Sequence, residues 1–168
     1  MTDTKFYADV NGIYLGGFSE GDSHIPSGAV EVSGPPLEAE GYTWSGSAWV
    51  ATKAYLINYL AEYRWSKEVD GVTVSGVLIR TDDRSKMLLA AIQPAIQYEN
   101  NSSRVRKIKT LSGFIELSNA QLAGIYMAVV GHVQKCFDAE YATLVKVNND
   151  TLTTVAGVEA EFNAQYNA

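Results

Sequence analysis

The residues whose types are best suited to chemistry form one short stretch, Thr81-Asp82-Asp83-Arg84-Ser85-Lys86. Two carboxylates beside two cations could serve a metal ion or a phosphate, but hard cations need several more oxygen ligands than this stretch offers. An enzyme acting on envelope sugars would need a pair of carboxylates, for which Asp82 and Asp83 are the candidates, although they are adjacent on the chain. The alternative is a helix start. There, such side chains accept hydrogen bonds from the backbone N–H groups that have no partner within the helix, and acidic residues interact with the positive end of the helix dipole. The order of residue types favours this helix start.

A second candidate is His132, four positions before Cys136 on a predicted long helix. Residues at this spacing share a helix face, so a histidine–cysteine nucleophile is geometrically allowed. Cys136, however, falls on the apolar stripe, where a cysteine is usually an inert small hydrophobe. It is the single cysteine of the chain, which excludes an intramolecular disulfide and cysteine-based zinc. We therefore predict no catalytic residue, no cofactor site and no metal site.

The one basic run is formed by Arg104, Arg106, Lys107 and Lys109. Nucleic-acid binding would need interleaved aromatics and a basic domain, whereas the net charge is −6. A solvated strand face explains the run better, since basic side chains also discourage wrong strand pairing. A role in binding an anion or a partner is the alternative. Nucleic acid is not an expected partner.

An aromatic group on a short predicted hairpin is the best candidate for a binding surface. Tyr42, Trp44 and Trp49 lie on either side of Ser45-Gly46-Ser47. Aromatic rings on an exposed hairpin can stack on a sugar or pack against a protein. The alternative is that they cover this part of the chain against the helices. We take Tyr42, Trp44 and Trp49 as the candidate partner- or glycan-binding surface.

Length and composition describe an ordinary globular protein. The 168 residues suit one domain with a small appendage, and 46% are apolar while 19% are charged. No apolar run approaches the roughly 18 residues of a membrane helix. The N-terminus lacks a basic start followed by an apolar stretch, so no secretory signal is expected. We expect that the protein does not insert into a membrane and that it acts in a cytoplasm or inside a larger particle.

Residues 1–50 are predicted to form a loop-rich β appendage. Asn11-Gly12 between two apolar runs predicts a hairpin with a type I′ turn, because both residues tolerate positive φ. A third strand follows at Ala29–Ser33 and ends at Gly34-Pro35-Pro36, where the prolines cannot donate to a ladder. The aromatic hairpin completes the appendage, which has little core of its own.

Residues 51–168 are predicted to form a second domain of four helices and two short hairpins, giving an α+β fold. Its second helix carries Met87, Leu88, Ala91, Ile92 and Ala95, and Pro94 predicts a kink or an early end there. Ser118-Asn119-Ala120-Gln121 is a capping box that opens a long helix. The predicted helices cover residues 51–67, 81 onward, 118–144 and 154–165, with hairpins at 72–79 and 104–117.

Residues spread over the predicted helices and hairpins of the second domain form a pattern: Tyr63-Arg64-Trp65, Glu68, Gly71, Gly76, residues 81–86, Gly113-Phe114, Leu117, Val130-Gly131-His132-Val133, Cys136-Phe137 and Glu140, with the segment Thr153–Phe162. In this pattern the helical part resembles a domain of unknown function, number forty-three seventy-six, that is found in phage tail proteins. The likeness covers about residues 53–165 and lacks the tryptophan-containing insertion that many relatives carry at the loop from Glu99 to Arg106. The family has no established catalytic residues.

Short motifs in the first fifty residues carry a second likeness: Phe6-Tyr7, Gly12-Ile13-Tyr14, Ile25-Pro26, Ala29–Val32 and Trp44–Trp49. In these motifs the segment is similar to the start of tail-fibre assembly proteins. Together the two likenesses imply a non-enzymatic accessory or assembly protein that binds a phage tail-fibre or baseplate protein, in the host cytoplasm during assembly or in the virion tail. The alternative is a structural virion component at the fibre tip or baseplate that contacts a host-surface glycan.

Overall fold

The structure, a computed structural model, describes residues 3–110 and 113–168, apart from the side chains of 109 and 110. It confirms the α+β class and the order of the predicted elements. The strands within these residues are β1 (Thr4–Ala8), β2 (Tyr14–Ser19), β3 (Val30–Val32), β4 (Tyr42–Trp44), β5 (Trp49–Ala51), β6 (Val72–Val74), β7 (Val77–Ile79), β8 (Val105–Thr110) and β9 (Gly113–Ser118). The helices are α1 (Lys53–Val69), α2 (Asp83–Glu99), α3 (Asn119–Asn148) and α4 (Val155–Asn167).

The contacts divide the chain into two compact units. The terminal unit contains the residues up to Ala61 together with Tyr141–Ala168, and the central unit contains Glu62–Glu140. The predicted boundary between residues 50 and 51 follows composition, whereas this division follows contacts. The β appendage is thus grouped with the start of α1 and with the C-terminal part of the chain.

The terminal unit contains a three-stranded antiparallel sheet in the order β2-β1-β3, and β4 pairs with β5. The predicted hairpin forms, but its type I′ turn is wrong. Gly12 has a φ of 79°, whereas Asn11 is not in the left-handed region. The carboxylate of Asp9 accepts the amides of Asn11 and Ile13, both at 2.8 Å. A side chain that satisfies local amides competes with the tight turn, and a longer loop results.

The core of the terminal unit gathers apolar side chains from sheet and helices. Helix α4 begins at Thr154, whose hydroxyl oxygen accepts the amide of Gly157 at 3.1 Å. This capping and the 3.6-residue period together turn Val158 and Phe162 inward. The buried apolar residues of the unit are Ala8, Val32, Leu56, Leu60, Val147, Val158 and Phe162.

The central unit confirms most of the predicted local signals. In the β6–β7 hairpin, Ser75 and Gly76 both have positive φ. Asp82 caps α2 by accepting the amide of Ser85 at 3.1 Å, as predicted. The predicted alternative of an early end at Pro94 is wrong, because α2 continues to Glu99. The turn expected at Leu111 and Ser112 lies outside the described residues.

Helix α3 begins at the predicted capping box. The Ser118 amide donates to Gln121 Oε1 at 2.8 Å, and the Gln121 amide donates to Ser118 Oγ at 3.2 Å. The helix runs four residues beyond the predicted end at Leu144, to Asn148, and stops before Asp150, whose φ is 60°. In the central unit α3 supplies the buried apolar residues Leu122, Ile125, Val129, Cys136 and Ala139.

Candidate functional site

A buried carboxylate organises the central unit. Glu68, in the last turn of α1, is only 4% exposed. Its carboxylate binds Arg64 on the same helix and Lys86 in the first turn of α2. Its main-chain carbonyl accepts the Thr81 hydroxyl at 2.5 Å and lies 3.1 Å from Nε2 of His132. Because a carbonyl can only accept, this contact requires the proton of the imidazole to be on Nε2. We call these residues, Arg64, Glu68, Thr81, Lys86 and His132, the Glu68 cluster.

Each cation of the Glu68 cluster has a further partner. Arg64 Nε lies 3.1 Å from the Glu140 carboxylate, and its guanidinium carbon lies 4.7 Å from the centre of the Phe137 ring. Lys86 Nζ lies 3.0 Å from Asp83 and 5.3 Å from the centre of the Trp65 ring. Charges taken out of water are tolerated when they are paired and hydrogen-bonded in this way. The arrangement is suited to fixing the positions of α1, α2 and α3 within the unit.

The pKa of Lys86 reflects this pairing. Burial alone would lower that pKa, but the hydrogen bonds to Glu68 and Asp83 outweigh burial and raise it above the usual value of 10.5. Lys86 therefore remains a cation at neutral pH and cannot act as a general base or an amine nucleophile there.

Cys136 lies in the same unit, fully buried on α3. Burial, followed by the negative charge of Glu68, raises the pKa of its thiol to about 11, although Arg64 acts in the opposite direction. A thiol with this pKa is almost wholly protonated at neutral pH, and only the thiolate is a strong nucleophile. The geometry and the pKa thus argue against the alternative of a nucleophile formed by His132 and Cys136.

The polar stretch at residues 81–86 serves the start of α2. The backbone hydrogen bond from Ser85, together with the Ser85 hydroxyl, holds the pKa of Asp82 below its usual value. Thr81 and Lys86 bind Glu68, and Asp83 binds Lys86. Within residues 3–110 and 113–168, no group of three or more His, Cys, Asp or Glu side chains could hold a metal ion. The helix-start interpretation is confirmed for Asp82 and Ser85, whereas Thr81 and Lys86 belong to the Glu68 cluster.

The basic run forms part of a polar network between α2, β8 and α3. Arg104 and Arg106 both bind the Glu99 carboxylate at 2.7 Å, and Arg106 Nε donates to Asn119 at 2.8 Å. The side-chain amide of Asn119, then Arg106 and Arg104, hold the pKa of Glu99 below its usual value despite partial desolvation. The solvated-face interpretation fits the exposed Lys107 but is wrong for Arg106, whose side chain is only 20% exposed.

The structure brings the three aromatic candidates onto one hairpin of the terminal unit. The Trp44 and Trp49 rings meet edge to face with their centres 5.4 Å apart, and Tyr42 packs on Tyr55 at 5.3 Å. Trp49 also donates its indole N–H to the Gly34 carbonyl at 2.8 Å. All three candidates are partly buried. The hairpin thus packs inside its unit, and its use as a binding surface stays a prediction.

A neighbouring apolar surface was missed by the sequence analysis. The Trp44 amide donates to the Gly12 carbonyl at 2.8 Å, and this places the hairpin beside the β1–β2 loop. On that loop Val10 is 77% and Ile13 is 53% exposed, and Val30 at the same end of the sheet is 47% exposed. We call Val10, Ile13 and Val30 the apolar tip. The sequence did contain a feature that could have predicted this surface. Val10 and Ile13 directly flank Asn11-Gly12, where strand pairing must end and side chains become exposed.

A known protein family matches most of the chain. The family described as "Domain of unknown function (DUF4376)" matches residues 51–164. The chain belongs to this family. The likeness inferred from the sequence over about residues 53–165 is thereby confirmed, and the whole Glu68 cluster lies inside the matched range. Neither the curated proteins nor the solved structures contain a significant match to this DUF4376 chain.

Among the residues that the structure describes, none of the helices combines the length and the apolar character needed to cross a bilayer.

Proposed function

We propose that this protein is a non-enzymatic accessory or assembly protein that binds a phage tail-fibre protein. Two likenesses support the proposal: membership of DUF4376 over residues 51–164 and the similarity of residues 1–50 to the start of tail-fibre assembly proteins. On this proposal the protein acts in the host cytoplasm during assembly or remains in the virion tail. The charge-compensated Glu68 cluster and the protonated thiol of Cys136 support the non-enzymatic part.

The observation that carries the proposal is the apolar tip beside Trp44. Exposed apolar side chains that are grouped rather than scattered are typical of a protein-binding surface. Here they are held in place by the Asp9 loop and by the Trp44–Gly12 hydrogen bond. The aromatic hairpin extends the same surface with ring area, the kind that dominates interface energies.

The net charge of residues 1–50 indicates the chemistry of the partner. These residues contain seven Asp and Glu residues and a single Lys, Lys5. Lys5 lies 3.2 Å from Glu31 and 3.9 Å from Glu20, so its charge is already compensated. A net acidic segment with exposed apolar side chains favours a partner segment that carries both apolar residues and Lys or Arg.

The experiment is co-expression of the protein with the tail-fibre protein of the same phage, followed by affinity capture. The variant pair Val10→Asp with Ile13→Asp places two charges in the apolar tip, and we expect it to weaken capture at least roughly tenfold. The matched control, Val77→Asp, alters a residue of the central unit that is 48% exposed and should bind like the wild type. A wild-type protein that captures no fibre would overturn the proposal.

A second candidate function is a virion component at the fibre tip or baseplate that contacts a host-surface glycan. The adjacent Trp44 and Trp49 rings favour it, since sugars stack on such rings. Purified virions would then contain the protein at a fixed copy number. Glycan-array binding should be lost in Trp44→Ala and in Trp49→Ala. Binding that survives both changes would remove the hairpin as the sugar site.

A further inference from the structure

The β1–β2 loop contains the single Asn-Gly pair of the chain, Asn11-Gly12. Asparagine is one of the chemically labile residues, because the backbone nitrogen of the next residue can attack its side-chain carbonyl. A glycine in the next position favours this attack, since it has no Cβ to shield its nitrogen. Asn11 is exposed, whereas Gly12 is buried. The sequence of this pair thus suits spontaneous deamidation, and the fold decides whether it takes place.

The loop is held by hydrogen bonds that converge on one residue. The Asp9 carboxylate accepts the amides of Asn11 and Ile13, both at 2.8 Å. The Asp9 carbonyl accepts the Gly12 amide at 3.0 Å, and the Asp9 amide donates to the Ile13 carbonyl at 2.8 Å. From the neighbouring hairpin, the Trp44 amide donates to the Gly12 carbonyl at 2.8 Å. The nitrogen that would attack Asn11 is therefore fixed by the residues around it.

We propose that Asn11 is a site of spontaneous deamidation and that the Asp9 loop, residues 9–13, suppresses the reaction for as long as the loop is closed. The reaction needs only water and hydroxide. The Gly12 nitrogen gives its proton to hydroxide and attacks Cγ of Asn11. The new N–Cγ bond closes a succinimide ring, and the Cγ–Nδ2 bond breaks. Nδ2 leaves as ammonia with a proton from water, which restores the hydroxide. A second water opens the ring to aspartate or isoaspartate.

The closed loop opposes this attack in two ways. Hydroxide reaches the Gly12 proton only after the hydrogen bond to the Asp9 carbonyl breaks. The nitrogen must also turn toward Cγ of Asn11, and Gly12 lies tightly against β4, because a Cβ on it would be 2.5 Å from the Trp44 carbonyl oxygen. The rate in the folded protein is then the rate in the unfolded chain multiplied by the fraction of time that the loop is open.

The position of Asn11 gives the modification a consequence. Val10 and Ile13, on either side of the pair, belong to the apolar tip. Deamidation exchanges a neutral amide for a carboxylate between them, and the isoaspartate product also lengthens the main chain by one carbon atom. Loss of partner binding through this charge rests on the proposed function. The protection of Asn11 by Asp9 does not, because it follows from the loop alone.

The test follows deamidation of Asn11 in the full chain by peptide mapping and mass spectrometry at mildly alkaline pH. We expect the folded wild type to react at least roughly tenfold more slowly than the wild type unfolded in guanidinium chloride, since a loop closed by several hydrogen bonds opens rarely. Asp9→Ala should bring the folded rate close to the unfolded rate. A folded wild type that reacts as fast as the unfolded chain overturns the proposal.

Two further variants identify the hydrogen bonds of Asp9 as the cause. Asp9→Asn keeps an acceptor oxygen and should stay nearly as slow as the wild type, whereas a rate as high as that of Asp9→Ala would contradict the proposal. Asp22→Ala is the matched control, because the Asp22 carboxylate accepts the His24 amide at 2.9 Å in another loop of the same unit. It should leave the rate at Asn11 unchanged.

Hydrogen exchange of the wild type tests the same protection without any substitution. The Gly12 amide should exchange at least roughly tenfold more slowly than in the unfolded chain. Exchange of this amide at the unprotected rate would show that the loop does not hold the reacting nitrogen, and would overturn the proposal even if Asp9→Ala failed to fold.

The consequence for the partner is measured separately by capture of the co-expressed fibre. Asn11→Asp supplies the carboxylate of the product and should weaken capture several-fold, whereas Asn11→Gln retains an amide and should bind like the wild type. Equal capture by the two variants would refute the effect of the charge. A wild type that captures no fibre would count against the proposed function and not against the protection of Asn11.

Discussion

Lys86 Nζ lies 2.5 Å from the Glu68 carboxylate and joins the first turn of α2 to the last turn of α1. The same Glu68 also receives Arg64 on its carboxylate and Thr81 on its main-chain carbonyl. One residue thus uses both its side chain and its backbone to fix the chain before and after the β6–β7 hairpin. The stability of the central unit should depend strongly on Glu68.

Replacing Glu68 by Gln should destabilise the protein by roughly 2–3 kcal/mol, because Arg64 and Lys86 would each lose one charged partner and keep only Glu140 and Asp83. Urea denaturation followed by circular dichroism measures this loss. The matched control is Glu62→Gln on the exposed face of α1, which should change the free energy of unfolding by less than about 0.5 kcal/mol. Equal unfolding midpoints for the two variants would show that the Glu68 cluster adds little.

Cys136 should be protected from thiol reagents in the folded protein. Its side chain is fully buried, and burial raises its pKa to about 11. At pH 8 we expect labelling by a disulfide reagent to be slow and to become fast in urea that unfolds the chain. Labelling of the native protein at the rate of a free cysteine would instead indicate an accessible thiolate and would revive the nucleophile alternative.

Alkaline solutions should destabilise the protein through the same residue. The unfolded thiol ionises near 9.0, whereas the folded thiol keeps its proton until about 11. Between these values the folded state binds more protons, so the free energy of unfolding falls as the pH rises. Cys136→Ala should flatten this part of the pH profile of thermal unfolding. A profile unchanged by the substitution would mean that other groups control it.

Glu99 should contribute to stability at neutral pH and lose that contribution in acid. Its hydrogen bond from Asn119 and its ion pairs with Arg106 and Arg104 lower its pKa below the ordinary 4.5. A lowered folded pKa gives stability above the unfolded value that disappears as the pH falls through the folded value. Glu99→Gln should therefore reduce the loss of stability below about pH 5. The exposed Glu116→Gln is the control and should leave the acid profile nearly unchanged.

The contact between Gly12 and Trp44 should be sensitive to a single methyl group. A Cβ on Gly12 would lie 2.5 Å from the Trp44 carbonyl oxygen, and the φ of Gly12 is 79°. Gly21 has nearly the same φ, 78°, with nothing within 4 Å of its Cβ position. Gly21→Ala should thus cost about 1 kcal/mol of backbone strain. Gly12→Ala should cost clearly more and should shift the tryptophan fluorescence. Equal effects would show that the hairpin yields without cost.

The sequence predicted the elements whose signals are local. The capping box at Ser118 and Gln121 and the cap at Asp82 form as expected, because each depends on residues within one helical turn. The type I′ turn failed for an equally local reason, since Asp9 captures the amides of the loop. Competing local hydrogen bonds can thus override a strong dipeptide preference.

Features that depend on distant parts of the chain were not predictable. His132 reaches the Glu68 carbonyl across 64 positions of sequence. The apolar pattern of α2 likewise identifies an amphipathic helix but does not say whether Met87 and Leu88 face the core or the solvent. Only the three-dimensional structure shows that they remain exposed. The candidate surfaces of this protein are therefore defined by which apolar residues stay uncovered.

Binding to a tail-fibre protein can be measured by capturing the co-expressed fibre and determining the mass of the complex by native mass spectrometry. We expect a complex of fixed stoichiometry that forms with the wild type and with Val77→Asp and is lost when Val10 and Ile13 are both changed to Asp. A fibre that folds, stays soluble and never associates with this protein would show that it is not the partner.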